Sequence, residues 1–270
     1  MQMGHPISLP MSPGKMLHRV RKVIGQSNLL IVSDRFEAIG AAISSVLYHR
    51  AMLENYAQQH PTFLLSLDPV PISETAPRIV RLAAYAAETA GVGPMAAIPG
   101  ALAELAVENM LLHRASASLV ENGGEISAVS NIPFNVGVYA GTSPLSGRIG
   151  FHLTSDDFPI GIATSSATVS HAINFGEADA AVVIADTASM ADAAAKAVCN
   201  AVRGRDLEAS VQLGLEKAET IPCVRSALII RGKYVGTVGK LPKLLKLNGD
   251  VGQLFASSLY DIAPQELIIL

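Results

Sequence analysis

Apolar positions in the first half of the chain recur mostly at the spacing of helices, and those in the second half at the spacing of short strands. The run Leu29, Leu30, Ile31, Val32 reads as a strand buried on both faces and predicts a strand over residues 22–32. Asp34, with Glu37 three positions on, has the spacing of a capping box. Phe36, Ile39, Ile43, Val46, Leu47 and Leu53 then follow at helical spacing and predict an amphipathic helix of about six turns. A Pro-rich loop leads to a second helix at about 76–90, with Pro77 near its first turn and Gly91 and Gly93 ending it. After Pro99, Leu102, Leu105, Ala106, Met110 and Leu111 mark a third. Beyond residue 115 the period changes. Short apolar runs at 117–120, 125–129, 136–139, 148–153, 160–163, 180–185, 224–230 and 234–238 predict strands. Helices are expected only at about 167–175 and 188–202, and the tail from 243 to 270 as an appended segment: a helix and an apolar strand at 267–270 packing on a neighbour.

Helices clustered before mixed strands predict an α+β fold, helices packed on a mixed, mainly antiparallel sheet, as one domain over 1–270. Half of the residues are hydrophobic and only 16% are charged, against roughly a quarter charged in an average domain. That excludes a disordered chain, and predicts a homo-oligomer that hides apolar surface at an interface. With 20 basic and 23 acidic residues the net charge is −3, which gives no electrostatic case for nucleic acid or an anionic membrane as partner. Cys199 and Cys223 form no Cys-x-x-Cys motif. No secretory h-region and no charge-free, Pro-free apolar run of about 18 residues is visible, so the expected location is the cytoplasm.

Candidate chemistry lies mostly in the second half. Asn122-Gly123-Gly124-Glu125 is either an ordinary hairpin turn or a place where backbone N–H groups approach a ligand. The loop Gly141-Thr142-Ser143-Pro-Leu-Ser-Gly147-Arg148 concentrates hydroxyls and one guanidinium, as phosphate-binding loops do, but is equally a plain turn. Thr164, Ser165 and Ser166 leave a strand and enter the expected short helix, where they favour an anion or serve as its N-cap. Asp192 and Lys196, one helical turn apart, read from the residues alone as a surface ion pair. Gly91-Val-Gly93-Pro-Met-Ala96 has dinucleotide-fingerprint spacing, but it follows a helix, which is the wrong context.

Taken together, the stretches 93–100 (Gly-Pro-Met-Ala-Ala-Ile-Pro-Gly) and 119–126 (Leu-Val-Glu-Asn-Gly-Gly-Glu-Ile), Ala163-Thr164-Ser165, and Ala191-Asp192-Ala193 resemble the ApbE-type FAD:protein FMN transferases. The stretches 140–152, 161–171, 178–183 and 191–194 resemble more closely an uncharacterised sister family in the same superfamily. The resemblance implies an ApbE-like α+β fold, with FAD or FMN in a cleft and magnesium at the pyrophosphate. It implies as ligand contacts Gly123, Gly124, Thr142, Ser143, Arg148, Thr164, Ser165 and Ser166. Asp192 matches the transferases' metal-binding Asp, and Lys196 stands where they carry a Thr, giving the pair Asp192 and Lys196 as catalytic candidates. A Lys ammonium only donates and cannot ligate a cation, so magnesium is in doubt. Pro99-Gly100 replaces the transferases' Lys-Gly, and their His and Asp-Pro segment is shortened here to 166–174. The implied function is a flavin- or nucleotide-phosphate-binding protein whose transfer chemistry is altered or lost. The alternative is a non-catalytic binder or carrier of a small anion on the same scaffold.

Overall fold

The computed structural model describes residues 16–169, 174–247 and 267–269. An eight-stranded sheet is its spine. In spatial order the strands are β1 (His18–Ile24), β2 (Ser27–Ser33), β3 (Ala117–Asn122), β4 (Glu125–Ser130), β7 (Ile160–Ser165), β8 (Ala180–Ala185), β9 (Val224–Arg231) and β10 (Tyr234–Gly239). Every neighbouring pair is antiparallel. A second sheet, ordered β11 (Lys243–Lys246), β6 (Ile149–Leu153), β5 (Phe134–Gly137), β12 (Leu267–Ile269), covers one face of the first. The other face carries helices α1 (Phe36–Gln59), α2 (Pro61–Leu65), α3 (Arg78–Ala90), α4 (Ile98–Leu112), α5 (Ala188–Ala201) and α6 (Leu207–Glu219).

Strand alternation sorts the core into two compartments. Leu30, Leu119, Ile126, Ile162 and Val182 face the small sheet and meet Phe134, Val136, Phe151 and Leu153. Ala163, Ala181, Val183 and Ile229 face the helices. The helical side is paved with alanine, Ala191, Ala193, Ala194, Ala195 and Ala197 on α5 among them, so helix and sheet backbones approach closely. Glycine permits the tightest contacts: a Cβ on Gly161 would lie 2.1 Å from the Thr187 carbonyl oxygen. The apolar stretch Pro94–Leu112 is long enough to cross a membrane, but here it packs on α1, α5, β3 and β4 as a core helix.

Several expectations are corrected. The predicted 22–32 strand is a hairpin, β1 and β2, turned at Gly25 with φ +58°. Arg35, not Asp34, occupies the N-cap of α1 and makes no side-chain cap. The Asp34 carboxylate instead accepts the N–H groups of Ser116 and Ala117, each at 3.0 Å, and the Ser116 hydroxyl at 2.6 Å. Residues 167–169 form a turn and 174–175 are not helical, so the helix expected at 167–175 is absent from its described residues. Two helices, α2 and α6, and one strand, β11, were not anticipated. The last strand, β12, pairs in parallel with β5 of its own chain; the tail helix expected before it falls outside the described residues.

Candidate functional site

The site grows from the β3–β4 hairpin. Its turn uses φ +75° at Gly123 and +114° at Gly124, backbone that side-chain-bearing residues rarely adopt. Glu121 folds back so that its Oε1 accepts the Gly124 N–H at 2.9 Å. Asn122 Nδ2 donates to the Pro99 carbonyl at 3.0 Å, tying the hairpin to the start of α4. The next residue, Glu125, pairs across the sheet with Ala163 and so shares its helix-facing side. There it is buried below α5.

Where α4 crosses α5, the Gly100 N–H donates to Asp192 Oδ2 at 2.9 Å. This N–H lies in the first turn of α4, where main-chain donors lack helical partners. The approach needs glycine: a Cβ on residue 100 would lie 2.3 Å from the Ala188 carbonyl oxygen and 2.8 Å from Asp192 Cβ. Asp192 is only 9% exposed, so the surface ion pair read from the sequence is corrected to a buried acid. α5 is wrapped by α3, α4, α6 and the sheet, and of its first half every residue but Met190 is buried.

Burial sets the electrostatics. It pushes the Asp192 carboxyl up to about 7, against the opposing pull of the Gly100 N–H and then the Lys196 ammonium. Burial also raises Glu121 to about 7, opposed by the Gly124 N–H and by Arg21. Glu125 is pushed well above the ordinary carboxylate range, first by burial and then by the charges of Asp192 and Glu121, with Lys196 pulling the other way. The Lys196 ammonium therefore serves two acids, Asp192 and Glu125, held in a low-dielectric seam.

The site residues expected from the sequence fall into two groups. Gly123, Gly124 and Thr164 meet at one end of the sheet, where the Thr164 N–H donates to the Gly124 carbonyl at 3.3 Å. The Thr164 Oγ1 is buried without a hydrogen-bond partner. Ser165 points to the opposite face, the α5 side. Asn174 Nδ2 lies 3.2 Å from Ser165 Oγ and 3.1 Å from Cys199 Sγ, one turn beyond Lys196. Ser166 closes the following turn, its hydroxyl accepting the N–H groups of Thr168 and Val169 at 3.1 and 3.0 Å.

Thr142, Ser143 and Arg148 belong to a separate loop that reaches the first group through that turn: a Cβ on Gly141 would sit 3.0 Å from Thr168 Oγ1. The Ser143 hydroxyl donates to the Gly232 carbonyl at 2.7 Å and accepts the Leu145 N–H at 3.2 Å, which pins the loop to the β9–β10 turn. Thr142 and Arg148 are exposed. Glu125, Glu121, Gly100, Asn174 and Cys199 were not among the expected site residues. Glu125 alone carried a readable signal, as a carboxylate placed on the helix-facing side of an otherwise apolar and small-residue strand.

Magnesium fits this donor set poorly. It takes an octahedron of oxygens, whereas one Asp192 oxygen is committed to Gly100, and Lys196 supplies an ammonium one turn away. Among the described residues no group of three or more His, Cys, Asp or Glu side chains is arranged to hold a metal ion.

Two solved structures share the layers described above. The apo flavinyl transferase ApbE of Pseudomonas stutzeri superposes with a TM-score of 0.51 at 14% identity, covering 84% of this chain and 96% of that one. A variant of the flavin transferase ApbE of Vibrio cholerae gives 0.50 at 10% identity, covering 83% and 97%. The chain thus has the ApbE fold. Residues 11–216 match the profile of the family described as AbpE bacteria, and the chain belongs to that family. Its relatives include the UPF0280 protein of Methanocaldococcus jannaschii, 40% identical over 244 residues (89% of this chain, 99% of the relative). That of Methanopyrus kandleri is 40% identical over 238 residues (86% and 95%).

Proposed function

We propose that the protein binds a flavin or another nucleotide phosphate (FAD or FMN foremost) beside the Gly123–Gly124 turn, with Lys196 supplying the positive charge that a metal would otherwise bring. The observation that carries this reading is the Asp192–Lys196 turn of α5, packed against Glu125 and the N-terminus of α4 on a flavin-transferase scaffold. An ammonium in such a seam attracts a phosphate directly. Thr142, Ser143, Arg148, Ser165 and Ser166 are proposed to line the remainder of the ligand's path. Asp192 accepts a main-chain N–H and positions Lys196 through their shared helix turn; its raised pKa also suits it to hold a proton near neutral pH.

The test is titration of FAD, FMN and ADP with and without EDTA. Binding should survive chelation and weaken about tenfold or more in Lys196→Ala, the scale of one charge-assisted hydrogen bond. A strict magnesium requirement overturns the reading. A second reading, a binder without transfer chemistry, is favoured by the absence of a metal-ligand set among the described residues. Flavin that co-purifies but is never passed to a Thr-containing acceptor selects it. We further propose a cytoplasmic homo-oligomer. The two free cysteines support the compartment. Exposed Leu47 and Tyr48 on α1 support self-association, which light scattering checks.

A further inference from the structure

At the end of β3 remote from the Gly123–Gly124 turn lies a second, unrelated cleft of about 510 Å³, lined by His18, Asp34, Arg35, Phe36, Glu37, Arg114 and Ser116. The five steps of β3 from Ala117 to Asn122 put roughly 17 Å between the two places at the rise of an antiparallel strand. Three side chains able to carry positive charge converge here from distant parts of the sequence: His18 on β1, Arg35 before α1 and Arg114 after α4. The two acids are engaged. Asp34 accepts the Ser116 and Ala117 N–H groups and the Ser116 hydroxyl, and Glu37 lies 4.0 Å from Arg35 Nε. Arg114 has no ion pair among the described residues. Its backbone sits at φ +60°, the one positive φ on a non-glycine residue among those described. Helices commonly end on glycine or asparagine at such a position. Arginine there costs backbone energy and gives a guanidinium at the cleft in return, a pattern of local strain associated with functional sites.

Phe36 is the one large apolar residue of the lining, and it packs edge-on against His18 at 5.6 Å. A hydrophobic ligand finds little to bury against, while a compact oxyanion finds two planar forks of donors. We propose that this cleft is a binding site for a small multivalent oxyanion, phosphate- or carboxylate-bearing, held by Arg114 and Arg35 with His18 beside them. The site is independent of the one beside Gly123 and Gly124.

The test measures the thermal midpoint and calorimetric binding with pyrophosphate, inorganic phosphate and malonate as probes, at constant ionic strength so that general screening is held fixed. At least one probe should bind the full chain saturably, and the probe that does so says which oxyanion class the site takes. Arg114→Gly should weaken that binding about tenfold or more, while the unliganded midpoint stays equal or rises because glycine accepts φ +60° freely. Arg35→Ala should weaken it likewise, and Lys196→Ala should leave it unchanged. An indifferent wild type, or full binding retained in Arg114→Gly, overturns the proposal. So does loss of binding in Lys196→Ala, which would place the anion at the flavin-like site instead.

Discussion

Asp34 and Asp192 are both carboxylates that receive main-chain N–H groups where elements meet, yet their surroundings differ. Asp34 is half-buried and has three donors from Ser116 and Ala117. Asp192 is buried with a single main-chain donor, Gly100, and shares its seam with Glu125. Burial raises the Asp192 carboxyl well above its ordinary carboxylate range. A donor count matched to burial makes a carboxylate a structural clamp; too few donors leave it close to exchanging a proton at neutral pH.

The largest expected effect comes from crowding the Asp192 end. Gly100→Ala forces a methyl to 2.3 Å from the Ala188 carbonyl oxygen. It should cost about 3 kcal/mol or more in chemical denaturation, the upper range for overpacking a rigid contact. A loss below about 1 kcal/mol would mean that α4 and α5 slide apart easily, and the close crossing would lose its meaning.

Next in size is the clamp itself. Asp34→Ala strips two N–H groups and a hydroxyl of their charged acceptor and should destabilise by about 2–3 kcal/mol. Asp34→Asn should recover part of that, since an amide oxygen still accepts. Equal losses in the two variants would show that the hydrogen bonds contribute little.

The smallest effect is in pH dependence, and its sign follows from the upward displacement of Asp192. A carboxyl whose folded value is raised to about 7 binds more protons when folded than when unfolded across the interval from its ordinary value of 3.8. Its contribution is therefore fully present below about 4 and is lost as the pH rises through 7. Asp192→Asn should remove that loss, so the variant's stability relative to wild type should grow by about 2 kcal/mol between pH 4 and pH 7. A gap that stays constant, or narrows as pH rises, would refute the raised pKa.

Much of this architecture was legible along the chain. The strand Ala180–Ala185 and the αL glycine ending α3 at Gly91 stand where the residues put them, because uninterrupted apolar runs and helix-stopping glycines have little choice. α6 was missed for a physical reason. Its buried face includes Ser210, Gly214 and Ala218, four residues apart, which bury well against a sheet but do not register as hydrophobic. The β1–β2 turn was hidden because Gly25-Gln26 interrupts two runs that read as one. At the candidate site, the Thr164-Ser165-Ser166 run looked like a single polar patch. Strand alternation sends Thr164 and Ser165 to opposite faces, and Ser166 is spent on closing a turn. The burial of Asp192 was invisible in its spacing to Lys196, since an i,i+4 pair looks the same on an exposed helix as on one enclosed by alanine.

The amide at position 100 is part of the polymer itself, so any amino acid except proline would offer the same proton to Asp192. What glycine contributes is room. A lineage that kept the space could exchange nearly every neighbouring side chain and still find an acid gripped at that corner, because the grip is inherited through the path of the chain and not through its alphabet.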